Sequence, residues 1–129
     1  MIYEFRVYKL HPGKLDVFKK RFSKISLPLF EKHGVQYCGF WEIAKFPESS
    51  VPQVSKGGIV KKAEGSKFGQ DEIAYLVAFE SVEQRDKAWL DFVKDLEWQR
   101  LKAESEAQGP IVKDEISYLL KPSEFSLMK

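Results

Sequence analysis

Three polar side chains alternate along the first segment of the chain and form its most chemically suggestive group. Glu4, Arg6 and Tyr8 are spaced two residues apart, and residues two apart in a β-strand lie on the same face. A guanidinium on such a face can hold a carboxylate or an enolate by a forked pair of hydrogen bonds. The spacing therefore predicts an anion-binding group centred on Arg6. The same residues also fit an interface ion pair that only fixes geometry.

The histidines and the cysteine do not predict a second site. His33 precedes Gly34, where a positive charge suits the C-terminus of a helix, and His11 lies in a Pro-Gly turn. Cys38 falls within a strand-like segment and fits a small buried hydrophobe. These residues are too few and too far apart for metal-ligand spacing. The sequence therefore predicts no bound metal.

Hydrophobic periodicity divides the chain into strand, helix, two strands, helix and strand. Alternation with a period of two predicts strands at 2–10, 35–44, 73–80 and 111–120. Apolar residues three and four apart predict a helix from Leu15 to Leu29. Pro28 should kink or restart this helix near Leu27, and Gly34 can close it. A second helix follows the capping box of Ser81 and Gln84, and a further polar helical stretch runs to about residue 107.

Residues 45–71 have no consistent period, so we interpret them as an inserted, mobile loop that folding does not require. The loop carries Lys56, Lys61, Lys62 and Lys67 with the adjacent glycines Gly57 and Gly58. The spacing of a phosphate-binding loop and a following helix are both missing, so these residues are expected to be solvated.

The element order is the split βαβ pattern, which predicts one α+β domain over residues 1–129 with a ferredoxin-like βαββαβ fold. Two helices cover one face of a four-stranded antiparallel sheet, and the small residues Ala74 and Ala78 are expected on that face. In the usual strand order 4-1-3-2, Arg6 lies between Tyr75 and either Glu115 or Ser117. The bare second face predicts a homodimer whose paired sheets close a barrel.

Composition excludes several classes of function. The 129 residues carry a formal charge of +2, which gives no sustained positive field for nucleic acid. One cysteine cannot form an intrachain disulfide, and no secretory signal opens the chain. No apolar run reaches the roughly 18 residues that span a bilayer. These features predict a cytoplasmic protein without integral membrane association.

Six strings in order resemble the NIPSNAP family: MIYEFRVYKLHPGKLDVFKKRF, LPLFEKHG, GFWE, YLVAFES, LEWQRL and LLKPSEFS. The resemblance covers nearly the whole chain outside 45–71. It implies the dimeric α+β barrel superfamily, in which two sheets enclose a cavity, and it implies little about chemistry. Where members often carry a histidine in the third strand, this chain has Tyr75.

These observations predict a homodimeric barrel protein that binds a small, partly apolar and anionic molecule without a cofactor. Arg6 is the expected anchor, and Tyr8, Trp41 and Tyr75 are the expected walls of the barrel cavity. A cofactor-free enzyme is one possibility, with Glu4 or Glu115 as proton carrier. A non-catalytic binding protein, whose polar residues serve only the dimer, and a haem-handling relative are the alternatives.

Overall fold

We analysed a computed structural model of the chain, which describes residues 1–44, 54–55, 58–59 and 71–129. Most of the predicted insertion at 45–71 lies outside these residues. The strands are β1 Ile2–Leu10, β2 Gln36–Glu42, β3 Val54–Ser55, β4 Gly58–Ile59, β5 Glu72–Phe79 and β6 Val112–Leu120. The helices are α1 Leu15–Arg21, α2 Leu27–His33, α3 Val82–Lys94 and α4 Leu96–Ser105, with a π-helical turn over Phe22–Ser26 between α1 and α2.

The four long strands form one antiparallel sheet in the order β2-β5-β1-β6. This is the predicted 4-1-3-2 order when the long strands alone are counted, and the α+β ferredoxin-like class is confirmed. In the register of the sheet, Arg6 lies opposite Tyr75 on one side and Ser117 on the other, and Tyr8 lies opposite Glu115. The central strand β1 therefore presents its polar residues between two neighbouring strands, as the sequence predicts.

The first helical segment continues through Pro28 without a break. A π-helical turn precedes α2, so that Pro28 lies in the first turn of α2, where its missing amide hydrogen costs little. Gly34 closes α2 with a φ of 80°, which glycine adopts without the steric cost of a side chain. Sequence periodicity located this helix correctly but gave no signal for its π-helical turn.

Side-chain caps set where α3 and α4 begin. The Ser81 hydroxyl accepts a hydrogen bond from the amide of Gln84 at 3.0 Å, as the capping motif predicts. Asp95 ends α3 and caps α4 by accepting from the amides of Glu97 and Trp98. The polar helical stretch predicted to run to about residue 107 is therefore a separate helix, α4.

The helices pack on the face of the sheet that carries the polar residues of β1. On β5 that face consists of Ile73, Tyr75, Val77 and Phe79, all of them buried in the core. Ala74 and Ala78 lie on the opposite face, so the expectation that small residues admit the helices is wrong. The larger apolar row of β5 buries more hydrocarbon against the helices, which favours that face.

Candidate functional site

A cavity of about 470 Å³ lies between the sheet and the helices of a single subunit. Arg6, Tyr8, Tyr75 and Glu115 line it from the sheet side. The rings that line the rest of it are Phe18, Phe22, Phe30, Trp89, Phe92 and Trp98. The volume lies within the usual 300–1,000 Å³ range of small-molecule sites. The predicted location between two paired sheets is therefore wrong for this group, because the polar face of β1 is the face that the helices cover.

Arg6 lies at the base of this cavity with spare hydrogen-bonding capacity. Its Nη2 donates to Glu115 Oε2 at 3.1 Å, while its buried Nε has no hydrogen-bond partner among the described residues. The guanidinium carbon lies 5.4 Å from the ring centre of Tyr8, 6.0 Å from that of Tyr75 and 4.8 Å from that of Trp89. Three aromatic faces thus stabilise the cation and leave donors for a further acceptor.

Tyr8 and Tyr75 form a buried hydroxyl pair beside Arg6, with 2.7 Å between their oxygens. Burial raises the pKa of Tyr8 to about 12, although the Arg6 charge opposes this. Burial also raises the pKa of Tyr75 well above its ordinary value, so both hydroxyls are protonated at neutral pH. One hydroxyl donates to the other, and the second keeps a proton for another acceptor. The pair can therefore bind an oxygen of a molecule held by Arg6.

Glu4 is also on this face, but its carboxylate is fully engaged by protein groups. Arg85 donates to both of its oxygens at 2.9 and 3.1 Å, Trp89 Nε1 donates at 2.8 Å, and the Ser117 hydroxyl donates as well. Burial raises the pKa of Glu4, but these hydrogen bonds and the Arg6 charge outweigh it and lower the pKa to about 2. A carboxylate held in this way is poorly suited to carry protons.

Glu115 differs from Glu4 because it is half-exposed, lines the cavity and bonds only to Arg6 among the described residues. Its carboxylate is open both to water and to a molecule bound in the cavity. Of the two predicted proton carriers, Glu115 is therefore the one whose position suits that role.

Trp41 does not join the site. A bulge at Cys38 shifts the register of β2, so that Phe40 faces the helices while Trp41 lies on the opposite face. The Trp41 ring packs over Gly39, where an added Cβ would come within 2.8 Å of it. The bulge also exposes Cys38, so its predicted burial is wrong.

Neither histidine lines the cavity. His33 ends α2 as predicted, and its Nε2 lies 2.7 Å from Asp95 Oδ2, the carboxylate that caps α4. The amide of His11 bonds to the carbonyl of Ile111 in the turn after β1. The haem-handling alternative therefore finds no imidazole or thiolate ligand in the described lining of the cavity.

Sequence reasoning missed two arginines that complete the site. Arg85 on α3 binds Glu4, and Arg21 on α1 lines the cavity with a side chain only 6% exposed. Arg21 follows Phe18 by three residues and precedes Ile25 by four, so it falls on the apolar stripe of the first helix. A charged residue at such a position was the available signal.

The family model described as NIPSNAP matches residues 3–46, which include all but the first residue of β1 and the whole of α1, α2 and β2. The predicted resemblance to the NIPSNAP family is confirmed over these residues. Residues of the NIPSNAP match supply Glu4, Arg6 and Tyr8, whereas Tyr75, Arg85 and Glu115 lie beyond it. A comparison with curated proteins finds no match.

Solved NIPSNAP structures share the fold of the whole chain. A NIPSNAP family protein with unknown function from Agrobacterium tumefaciens is 19% identical, with a TM-score of 0.69, and the alignment covers 100% of this chain and 94% of that one. An uncharacterized NIPSNAP-like domain protein from Burkholderia xenovorans is 18% identical, with a TM-score of 0.69 and coverage of 97% and 87%. At these identities the likeness shows the fold alone.

Within the described residues, no helix has the length and apolar character needed to cross a membrane.

Proposed function

We propose that this NIPSNAP-like protein binds a small, partly aromatic anion in the cavity between its sheet and its helices. The observation that carries the proposal is Arg6, a cation in a ring-lined cavity whose one hydrogen bond among the described residues runs from Nη2 to Glu115. The Tyr8 and Tyr75 hydroxyls add a donor beside it. An anionic group would bind the guanidinium and this hydroxyl, and its apolar body would pack against the rings.

The surroundings of Arg6 favour a binding role over a structural ion pair. Glu4 keeps all its direct hydrogen bonds when Arg6 is removed, because the nearest Arg6 nitrogen is 3.8 Å from it. Glu115 is half-exposed, so water can solvate it without Arg6. Removing Arg6 would therefore leave neither carboxylate as a buried charge without a partner.

A cofactor-free enzyme is the second candidate, and Glu115 is the observation that favours it. Its carboxylate contacts Arg6 and lines the same cavity, so a molecule held by Arg6 would lie within its reach. Glu4 is excluded from the proton-transfer role of this candidate by its four hydrogen bonds.

The test compares 2-naphthoate with 2-naphthamide, which has the same rings and no charge. By calorimetry, the wild-type protein should bind naphthoate at least tenfold more tightly than naphthamide. Arg6→Met should remove this preference, a loss of about 1.4 kcal/mol or more, because the buried charge partner is gone. The thermal stability of the Arg6→Met variant should stay close to that of the wild-type protein.

Arg100→Met is the matched control, since Arg100 lies on the outer surface of α4, bonds only to Glu104 among the described residues and does not line the cavity. It makes the same change of charge and should leave the preference intact. Equal binding of both probes by the wild-type protein would contradict the proposal. So would an Arg6→Met variant that retains the naphthoate preference.

We also propose that the helix-free face of the sheet is covered by a second copy of the chain. Large apolar residues are exposed on this face: Trp41, Ile116, Tyr118 and Leu120. One end of this face carries three charged residues, Lys9, Glu72 and Asp114. From there to Glu80 at the other end, the residues that the strands place on this face are uncharged. An uncharged, apolar face of this kind suits an identical face better than a charged partner.

A further inference from the structure

A second cation lies in the cavity, on the helix side. Arg21 is only 6% exposed, although it carries a full charge. Its guanidinium carbon lies 5.5 Å from the ring centre of Phe18 and 5.5 Å from that of Trp98. Its Nη1 donates to Ser105 Oγ and Glu106 Oε1, each at 3.3 Å. Arg21 is therefore stabilised, as Arg6 is, by aromatic faces and by a hydrogen bond to a carboxylate.

The charges around Arg21 favour an additional anion. Lys102 also lines the cavity, one helical turn before Glu106, and forms no ion pair among the described residues. Arg21 and Lys102 thus lie beside a single carboxylate, that of Glu106. The hydrogen bond that Glu106 accepts from Arg21 is 3.3 Å, which is long for a charge-assisted contact. This end of the cavity keeps an excess of positive charge.

The aromatic rings of Tyr8 and Phe18 lie between Arg6 and Arg21. Arg6 lies over Tyr8, the Tyr8 ring meets Phe18 edge to face at 5.8 Å, and Arg21 lies over Phe18. A molecule that reaches from one arginine to the other must therefore pass along aromatic side chains. A flat, apolar body is the shape that packs there.

We infer that the ligand of this cavity is a diacid with a planar, apolar body between its two acidic groups. One acidic group binds Arg6 and the tyrosine hydroxyls, and the other binds Arg21 and Lys102. This inference rests on the proposed anion binding at Arg6 and adds the class of ligand.

The experiment compares each diacid with its own monoacid. Terephthalate is paired with benzoate, and 2,6-naphthalenedicarboxylate with 2-naphthoate, and all four are titrated calorimetrically at neutral pH. In at least one pair, the diacid should bind about tenfold more tightly than the monoacid, because a second charge-assisted contact forms.

Arg21→Met should abolish the diacid preference and leave binding of the monoacid unchanged. Arg100→Met makes the same change of net charge outside the cavity and should keep the preference. If Arg21→Met fails to fold, Glu106→Gln gives an independent result. Removing the carboxylate that competes for Arg21 should widen the gap between diacid and monoacid. Glu97→Gln, an equal charge change at an exposed position at the start of α4 that does not line the cavity, should not.

The outcomes separate this inference from the proposed function. If the monoacids bind through Arg6 but neither diacid binds more tightly, the diacid inference is overturned and the proposed function stands. An equal effect of Arg21→Met and Arg100→Met, or no gain from Glu106→Gln, also overturns it. If none of the four acids binds, the proposed function fails, and the diacid inference fails with it.

Discussion

The Glu4 carboxylate accepts hydrogen bonds from Arg85, Trp89 and Ser117, whereas the nearest Arg6 nitrogen stays 3.8 Å away. Two residues that share one face of β1 therefore have different surroundings. Glu4 is 1% exposed and belongs to a saturated network that fixes β1 to α3 and β6. Arg6 lines the cavity and keeps unused donors. Chemistry at this face is expected at Arg6 and the tyrosines.

The network makes stability depend on pH in a definite direction. The pKa of Glu4 is about 2 in the folded protein, below the ordinary value near 4.3 expected in the unfolded chain. Between these values the unfolded chain binds more protons, so this contribution is complete above about pH 5 and is lost as the pH falls towards 2. The shift corresponds to about 3 kcal/mol of unfolding free energy.

Glu4→Gln isolates this contribution. Denaturant unfolding of the wild-type protein and the variant at a series of pH values from about 6 to 2 should give a stability difference that shrinks as the pH falls. Other carboxylates, Asp95 among them, titrate in both proteins and cancel in the difference. A difference that stays constant across this range would contradict the assigned Glu4 pKa.

At the scale of elements, α4 forms part of the cavity wall through Trp98 and Lys102. It has no buried residue, and it is held at its start by Asp95 and along its length by Trp98 and Arg21. Asp95 caps α4, and its carboxylate also bonds to Lys32 and to His33 at the end of α2. One carboxylate thus joins two helices and sets the position of Lys102 and Glu106.

Asp95→Ala should destabilise the protein by about 1–2 kcal/mol, because the cap of α4 and the contacts with α2 are lost together. Asp95→Asn is the control: asparagine caps as well as aspartate does but removes the negative charge. It should retain most of the stability. Denaturant unfolding measures both, and hydrogen exchange should locate the loss in α4. Equal destabilisation by the two substitutions would show that the charge contacts, and not the cap, hold α4.

Strand and helix positions could be predicted because each follows from local periodicity. The bounds of β1 agree with the prediction, and β2, β5 and β6 differ by a residue or two. The bulge at Cys38 left no signal of that kind. Without it, alternation from Tyr37 puts Trp41 on the same face, whereas the observed register puts Tyr37 and Trp41 on opposite faces. One inserted residue therefore accounts for both the Trp41 and the Cys38 errors.

At the scale of the molecule, the grouping of Arg6, Tyr8, Tyr75 and Glu115 could be predicted because strand order and alternation determine it. Which face the helices would cover could not, since both faces of β5 are apolar and alternation does not rank them. Arg21 and Arg85 were missed for a related reason. They reach the site from helices, and helix-to-sheet contacts depend on packing and not on spacing along the chain.

The helix-free face leads to a prediction about the assembled protein. Four large apolar side chains exposed on one side of a sheet would be costly in a lone subunit. The protein should therefore sediment at twice its 15.0 kDa chain mass at micromolar concentrations. Ile116→Lys should convert it to the monomer, because a lysine at this position would be buried without a partner in the dimer.

Ile116 is 55% exposed in the single chain, so the lysine can be solvated there and the monomer should stay folded. Leu90→Lys is the matched control, since Leu90 is 51% exposed but lies on α3, on the other side of the sheet. It should leave the dimer intact. Because the cavity lies within one subunit, monomeric Ile116→Lys should still bind 2-naphthoate through Arg6. A wild-type protein that sediments as a monomer would contradict the dimer, and loss of naphthoate binding in a folded Ile116→Lys monomer would show that the partner completes the site.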